Sequence, residues 1–291
     1  MSIATVRLRR AAGLHLSPGA SVLAGQRVRR SRVGRLGITL GLVVVVALLA
    51  GWLSPADPNA VAVGEKFLGP GLAHPLGTDA FGRDQLARLA AGGRSSLSAA
   101  ALVLAISMSV ALVVGVLSGM LGGLVDMVLM RVNDVLLSIP SIVLAMAVIG
   151  VLGPGFLQLV GALSVAYVAT FTRLARAFTV TCRQRDDVTA ALLSGVPWLR
   201  TVRGHVIPGV AGQLAVVGTL TLGDIVISIA GLSFLGLGIQ PPAAEWGAML
   251  AESQSAFFIA PWLLIAPAAA ILLTAAAVNL VADALREGER S

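Results

Sequence analysis

The chain has 291 residues, of which 57% are hydrophobic and 12% are charged, and its formal net charge is +7. Soluble domains carry about 25% charged residues, so this composition excludes an ordinary soluble protein and predicts a polytopic membrane protein. The positive charge does not indicate nucleic-acid binding, because the arginines lie between apolar runs and lack interleaved aromatic residues.

The N-terminal third predicts a tail, a first span and an external segment. Residues 1–35 contain eight arginines and little periodicity, which is typical of a solvated cytoplasmic tail. The charge-free run 36–53 has roughly the ~20 residues that a spanning helix needs, and we expect it to remain as an anchor rather than be cleaved. The mixed polar stretch 55–94 then predicts an external segment, ending in an amphipathic helix over 84–94 on the membrane surface.

The sequence HPLGTDAFGRD, at positions 74–84, lies in this external segment. Its glycines favour turns, and Thr78 and Asp79 are predicted to cap the following helix. His74, Asp79 and Asp84 could form an oxygen-rich metal site, but we disfavour this because no second histidine lies on the outer face.

The remaining apolar runs predict five more spans. Gly119, Gly122 and Gly123 predict the turn after the second span, and a short return loop follows at 126–131. Pro140 is expected to kink the third span. An external loop is predicted around 241–246. The five predicted spans are 95–125, 132–152, 156–172, 210–235 and 262–282.

The positive-inside rule orients these six spans. The segments predicted to be inside hold 17 of the 21 Lys and Arg residues, and those predicted to be outside hold four. Both termini are therefore predicted to be cytoplasmic, and so is the polar stretch between the fourth and fifth spans.

That polar stretch, RQRDDVTAALLSGVPWLRTVRGHVIP at 183–208, has too many charges to lie in the bilayer centre. The spacing of Val188, Ala191 and Leu192 predicts a short helix over 188–193. Gly195 and Pro197 should end it, and a second short helix is predicted over 198–206. Two short helices with a glycine break favour a docking element.

The pattern T-A-A-(x)3-G-(x)11-I-P, from Thr189 to Pro208, is similar to the loop signature of ABC importer permeases. HPLGTDAFGRD, GLSFLGLGIQPP followed by EWG, and APWLLIAPAAAILLTAAAVNLVADALR resemble the C-type permease of oligopeptide and dipeptide importers. The matching stretches run from about 36 to 286. The resemblance implies an all-α membrane protein with the type I importer permease fold, N-in and C-in.

The resemblance also implies roles for individual residues. The family's loop inserts into a groove on a cytoplasmic ATPase, and Thr189 replaces the family's glutamate there. Ile229 likewise stands where family members commonly carry a glutamate. The implied ATPase-coupling residues are Asp187, Thr189, Ala190, Ala191, Gly195, Arg200, His205 and Pro208.

Asp224 is the only charge between His205 and Glu245, within the fifth span. An acid inside the membrane is a functional candidate by default. It could line the translocation path and meet a peptide amine, or pair with a polar group of a partner permease. Ser233 and Asn279 are further candidates for the path.

The implied assembly consists of a B-type permease, two ABC ATPases that hold ATP and Mg, and an external peptide-binding protein. We therefore predict a subunit of a peptide importer in the bacterial plasma membrane, working by alternating access. The predicted organisation is a tail (1–35), a first span with external segment (36–94), a five-helix permease domain (95–283) and a short cytoplasmic tail (284–291).

The chain itself is not expected to be an enzyme or to hold a cofactor. Its only lysine, Lys66, lies outside any G-x-x-x-x-G-K-[ST] motif, which excludes a P-loop. The single cysteine, Cys182, leaves no intrachain disulfide and no cysteine-based metal site. Three alternatives remain: an ABC permease for another solute such as a nickel chelate, an ion-driven secondary transporter, and a membrane scaffold or sensor. The secondary transporter is disfavoured because only Asp224 resembles an intramembrane ion site.

Overall fold

The computed structural model describes residues 57–288, with side chains described to Ala282. The predicted tail 1–35 and first span 36–53 lie outside the described residues. A π-helical turn occurs at Val202–Val206, and 3-10 turns occur at Val63–Glu65 and Gln254–Ala256. The helices are α1 (Gln85–Leu121), α2 (Gly123–Leu137), α3 (Ser141–Leu152), α4 (Phe156–Cys182), α5 (Asp186–Leu193), α6 (Trp198–Thr201), α7 (Ile207–Phe234), α8 (Trp246–Ser253) and α9 (Trp262–Gly288).

The described residues confirm an all-helical membrane fold. Four helical runs are long and apolar enough to cross a bilayer, and the bent pair α2–α3 makes a fifth candidate span. The four runs are Gln85–Leu121, Phe156–Cys182, Trp198–Phe234 and Trp262–Ala282.

The third predicted span is broken rather than kinked. Helices α2 and α3 meet at 87°, because Pro140 adopts an extended ψ of 131° and begins a new helix. The predicted return loop at 126–131 is also wrong. Gly122 and Gly123, with φ of +63° and +54°, form the turn, and α2 starts at Gly123. Gly119, also predicted in this turn, lies inside α1 beside Thr179 of α4.

The predicted surface helix at 84–94 is likewise wrong, since these residues form the first turns of α1. Asp84, rather than Thr78 or Asp79, is the helix cap, and its carboxylate accepts a hydrogen bond from the Ala87 N–H at 2.8 Å. Gln85 and Arg88 on this segment are buried. The segment is drawn into the protein because partners for both polar side chains lie on distant parts of the chain.

Helix α4 continues past its predicted end at 172 to Cys182. The arginines that suggested a loop are paired along α2: Arg176 forms a two-armed ion pair with Asp126, and Arg173 contacts Asp134. These pairs let α4 remain helical beyond the apolar run.

Helices α1 and α4 pack at very close range and run in the same direction. A Cβ built on Gly115 would lie 2.4 Å from the Cβ of Ala175, and one on Gly119 would lie 2.7 Å from Thr179. This is the close approach that a G-x-x-x-G pattern allows between helices in a membrane. Helices α3, α7 and α8 pack against α1 and α4 and complete the main hydrophobic core.

Candidate functional site

The stretch 183–208, termed the coupling segment from here on, forms one end of the bundle. Its first helix is α5, and its C-terminus closes in a Schellman motif. Gly195 N–H bonds to Leu192 O and Val196 N–H bonds to Ala191 O, each at 3.1 Å. Gly195 has φ +78° and nothing within 4 Å of its would-be Cβ. Backbone conformation, rather than lack of space, therefore requires glycine here.

The second helix of the coupling segment does not end where the sequence predicted. Helix α6 passes through the π turn directly into α7, so Trp198–Phe234 forms one run of 37 residues. The predicted boundary at 210 is wrong, because α7 begins at Ile207 and follows the π turn without a gap. The coupling segment is thus continuous with a long apolar helix.

Three valines anchor the coupling segment to the bundle. Val188 on α5 is 1% exposed, and Val202 and Val206 of the π turn are also buried. They pack in one cluster with residues of α1, α4 and α7, including Cys182 and Val210. The anchor is narrow, since it involves one residue of α5 and one side of the turn.

Most of the predicted coupling residues lie on the surface. Asp187 is held by Arg185, whose Nε and Nη2 lie 3.1 and 3.2 Å from its two carboxylate oxygens. Ala191 is half-buried. The exposed members of the predicted set are Asp187, Thr189, Ala190, Gly195, Arg200, His205 and Pro208.

The three predicted path residues occupy different surroundings. Asp224 is exposed on α7, and Asn279 of α9 is exposed with its carboxamide beside Gly223, one residue from Asp224. Ser233 lies nine residues further along α7, about 13 Å away by helix rise. It is buried, and its Oγ would lie 1.9 Å from a Cβ on Gly238. The structure therefore brings Asp224 and Asn279 into one neighbourhood and separates Ser233 from them.

The opposite end of the bundle carries a buried charge cluster that the sequence did not reveal. One oxygen of Glu252, Oε2, accepts hydrogen bonds from Arg83 and Arg88, both at 2.8 Å. Asp79 accepts from Arg83 Nε at 2.6 Å and lies 3.5 Å from Arg88. The Arg88 side chain is 1% exposed. We call these four residues the polar cap.

Helix α8 joins the polar cap to the rest of the bundle. Glu245 and Trp246, predicted in an external loop, are instead buried at its start. The Glu245 carboxylate accepts from Ser96 Oγ at 2.7 Å and from Ala248 N–H at 2.9 Å, and the Trp246 indole donates to Leu89 O. These bonds satisfy a buried acid, which is otherwise costly.

His74 lies outside the spans, where Nδ1 contacts Asp84 at 2.8 Å and Nε2 contacts Glu65 at 3.3 Å. The hydrogen bond to Asp84 raises the pKa of His74, and partial desolvation opposes that rise. Asp79 faces Arg83 instead, so the three candidate metal ligands do not converge. Among the described residues, no three His, Cys, Asp or Glu side chains are placed to hold a metal ion.

The long apolar helices define a multi-pass membrane protein, and a pair of short, largely exposed helices lies at one end of the bundle. Residues 111–288 match the family model described as "Binding-protein-dependent transport system inner membrane component". The chain belongs to this family, and it is a permease subunit of an ABC importer.

Several relatives cover most of both chains. The chain is 36% identical over 250 residues to the nickel transport system permease protein NikC of Escherichia coli (strain K12), covering 86% of this chain and 90% of NikC. It is 37% identical over 277 residues to a putative peptide transport system permease protein of Brucella suis biovar 1, covering 91% and 90%. It is 37% identical over 256 residues to the probable D,D-dipeptide transport system permease protein DdpC of E. coli (strain K12), covering 87% and 86%. The resemblance to C-type permeases is confirmed.

Proposed function

We propose that this chain imports oligopeptides or dipeptides by alternating access, as one half of a transmembrane path. The other half is a second, B-type permease, and an external binding protein delivers the cargo. The chain has six spans with both termini in the cytoplasm of a bacterial cell, and the positive-inside charge distribution supports this orientation. Similarity to relatives named for peptide and dipeptide transport supports the cargo class.

The coupling segment carries the mechanism. Two ATPase subunits bind ATP and Mg and move as they close, and the exposed residues around Thr189 and Gly195 contact them. Because α6 runs unbroken into α7, movement of the coupling segment is passed directly to a membrane-spanning helix. This continuity is the observation on which the proposal depends.

The path is proposed to pass the neighbourhood of Asp224 and Asn279. Both side chains are exposed and lie close to the contact between α7 and α9. A carboxylate there can meet the amine of a peptide, and a carboxamide can accept or donate hydrogen bonds. Ser233 is packed beneath Gly238 and supports this role less well.

A nickel chelate is the second candidate cargo, because the similarity to NikC is as extensive as that to the peptide permeases. The purified binding protein, analysed by mass spectrometry with its bound cargo, distinguishes the two. Peptides in the eluate support the proposal, and nickel without peptide supports the alternative.

Reconstitution tests the ATP-driven mechanism. We expect proteoliposomes with both permeases and both ATPases to take up labelled peptide only with ATP and binding protein. Uptake that persists without any ATPase, driven by an ion gradient, would instead show a secondary transporter. If cargo-loaded binding protein does not accelerate ATP hydrolysis, the result would favour a membrane scaffold or sensor.

Cysteine labelling tests the orientation. Cys182 is the chain's single cysteine, so Cys182→Ser gives a background free of thiols. Phe258 is 95% exposed at the polar-cap end and Arg200 is exposed in the coupling segment. We expect an impermeant maleimide to label Phe258→Cys in intact cells and Arg200→Cys only after permeabilisation. The reverse pattern would invert the topology.

A further inference from the structure

A cluster of oxygen-bearing side chains lies between α4 and α7, within their membrane-spanning parts. The Tyr167 hydroxyl of α4 and Ser228 Oγ of α7 are 3.1 Å apart and share a hydrogen bond. Asp224 precedes Ser228 at i, i+4 spacing, so both side chains lie on the same face of α7. The Asp224 carboxylate is close enough to act electrostatically on the Tyr167 hydroxyl. A phenol, an alcohol and a carboxylate are therefore gathered at one level of the bundle.

Helix α9 brings a fourth polar group to this level from the other side of α7. A Cβ built on Gly223 would lie 3.3 Å from Asn279 Oδ1 and 3.4 Å from the Ala275 carbonyl oxygen. Helix α9 thus packs on α7 at the residue next to Asp224. Tyr167 and Ser228 are half-buried, whereas Asp224 is exposed between the two neighbouring helices. The cluster is open on the side of its charge.

The position of Asp224 along α7 shows that this charge needs a polar partner. It lies about 26 Å along the axis from Ile207, where α7 begins, and about 15 Å from Phe234, where α7 ends. The hydrocarbon layer is about 30 Å thick, so α7 can hold Asp224 well inside it. A charged group there faces a water-filled cavity or a partner, because lipid does not solvate it. Among the described side chains, no cation is paired with Asp224.

A primary ammonium is the ligand that these four groups fit. It carries one positive charge and three N–H donors. Asp224 supplies the opposite charge, and Tyr167, Ser228 and Asn279 supply further oxygen acceptors. Each N–H that loses its water on entering the cluster can therefore be paired again, as a desolvated charge requires.

We infer that Tyr167 and Ser228 are specificity-determining residues of the translocation path, and that they bind the free N-terminal ammonium of a peptide beside Asp224. This rests on the proposed function, which supplies the peptide and the path. Asp224 attracts any cation, whereas the two hydroxyl groups distinguish cations by their number of N–H donors. The site therefore prefers a primary ammonium to a methylated one of the same charge.

The test compares two cargoes of equal charge in proteoliposomes that contain the complete importer. One cargo is alanyl-alanine, and the other is the same dipeptide with an N,N-dimethylated terminus, which keeps the charge but only one N–H. Uptake is measured at about pH 6.5, where both amines are protonated. Both cargoes are supplied as saturated complexes with the binding protein. Each variant's rate is divided by the wild-type rate for the same cargo, so the preference of the binding protein cancels.

The two hydroxyl variants should affect the two cargoes differently. We expect Tyr167→Phe and Ser228→Ala each to lower uptake of the unmodified dipeptide at least ~5-fold, because each leaves an N–H of a charged group unpaired. Uptake of the dimethylated dipeptide should fall less than ~2-fold, since it has one N–H to pair. Asp224→Asn should lower uptake of both cargoes alike. Equal changes for the two cargoes in Tyr167→Phe, or no change for either, would overturn the inference.

Thr219→Val is the matched control, because it also removes one hydroxyl from α7. Thr219 Oγ1 donates to the Ala215 carbonyl oxygen, about 180° around the helix from Ser228. This variant should leave the uptake of both cargoes as in wild type. A selective loss for alanyl-alanine in Thr219→Val, equal to that in Ser228→Ala, would overturn the inference.

A second measurement does not depend on uptake of the methylated cargo. A dipeptide with a diazirine in its second side chain is photolysed in the importer arrested with vanadate, and the crosslinked segments are mapped by mass spectrometry. We expect crosslinks on α4 and α7 near Tyr167 and Ser228, and fewer of them in Asp224→Asn. Crosslinks confined to other parts of the chain would overturn the inference.

Two further results separate this inference from its alternatives. If the wild-type importer takes up no peptide with ATP and binding protein, the proposed function fails, and the inference fails with it. If the wild type transports and Tyr167→Phe and Ser228→Ala match it for both cargoes, the inference alone fails. If Asp224→Asn no longer assembles with the second permease, the acid belongs to a subunit contact, which also overturns the inference. Unchanged thermal midpoints of the hydroxyl variants show that their fold is intact.

Discussion

The two ends of the bundle hold their charged residues in opposite ways. In the polar cap, two arginines and two acids neutralise each other inside the protein, and Arg88 is almost completely buried. In the coupling segment, Arg200 and Arg203 are exposed, as are the neighbouring Trp198 and Leu199, and the segment is anchored mainly by a small buried apolar cluster that contains three of its valines. The comparison indicates that the first end is completed within this chain, whereas the second is shaped to be completed by another protein.

The largest expected effect is at the polar cap. Arg88→Ala leaves Glu252 and Asp79 partly buried without one of their two cations, and we expect a loss of about 3–5 kcal/mol in stability. The measurement is the unfolding free energy, or the thermal midpoint, in detergent.

Asp134→Ala is the matched control, because it removes an acid from an ion pair whose two side chains are 59% and 51% exposed. It should cost no more than about 1 kcal/mol. A comparable loss of stability in Arg88→Ala and Asp134→Ala would contradict the contrast between buried and solvent-exposed ion pairs.

The next effect concerns the close contact between α1 and α4, the two helices that run between these ends. Gly115→Leu places a side chain where a Cβ alone would lie 2.4 Å from Ala175, so α1 and α4 must separate. We expect a loss of about 1–3 kcal/mol, measured by the thermal midpoint. Gly161→Leu on α4 has nothing within 4 Å of the new Cβ and should be close to neutral.

A smaller effect on stability, but a direct one on coupling, is expected at Gly195. Leucine there must adopt φ near +78°, which costs about 1–2 kcal/mol, although space is free. We expect Gly195→Leu to reduce both peptide uptake and cargo-stimulated ATP hydrolysis several-fold. Gly195→Asn should stay near wild type, since asparagine tolerates a positive φ. If uptake and hydrolysis are both unchanged in the leucine variant, the coupling role of this segment is wrong.

The smallest expected effect is a pH dependence of the end that contains the polar cap. The pKa of His74 is raised in the folded protein, so its protonated form stabilises the fold. This contribution is complete below the unfolded value of about 6.5 and is lost as pH rises through the higher folded pKa. The thermal midpoint should therefore fall from pH 6 to pH 8.

His74→Gln should reduce that fall, and His205→Gln, in the exposed coupling segment, should leave it as in wild type. An equal fall in wild type and His74→Gln would exclude His74 as the cause.

The sequence predicted features that depend on neighbouring residues. The helix over 188–193, the stop at Gly195 and the turn at Gly122 and Gly123 follow from local apolar spacing and from glycine's access to positive φ. The apolar runs also located the spans of α1, α4, α7 and α9. The predicted span 262–282 agrees with the apolar run Trp262–Ala282, whereas α1 and α7 begin earlier than predicted and α4 ends later.

Features that depend on distant residues could not be predicted in this way. Arg88 was assigned to a surface helix because its partner, Glu252, lies 164 positions away, and Glu245 was assigned to a loop because its partner, Ser96, lies 149 positions away. The sequence signal for these buried charges was the presence of charged residues at the edges of apolar runs. A local pattern cannot distinguish an ion pair that is buried from one that is solvated. The continuity of α6 with α7 was missed because the charges of the stretch 183–208 set the predicted start of the fifth span at 210.

The unbroken run from Trp198 to Phe234 also gives the molecule a stiff rod with contacts at both extremities. At its far extremity the backbone of Ala230 presses on Gly247, where an added Cβ would meet a carbonyl oxygen at 2.2 Å. A tilt of ~10° applied at one extremity of a rod ~55 Å long displaces the other by ~10 Å. Under the proposed mechanism, helix α8, and with it Glu252, moves together with this rod, so opening at one end of the bundle is tied in time to events at the other.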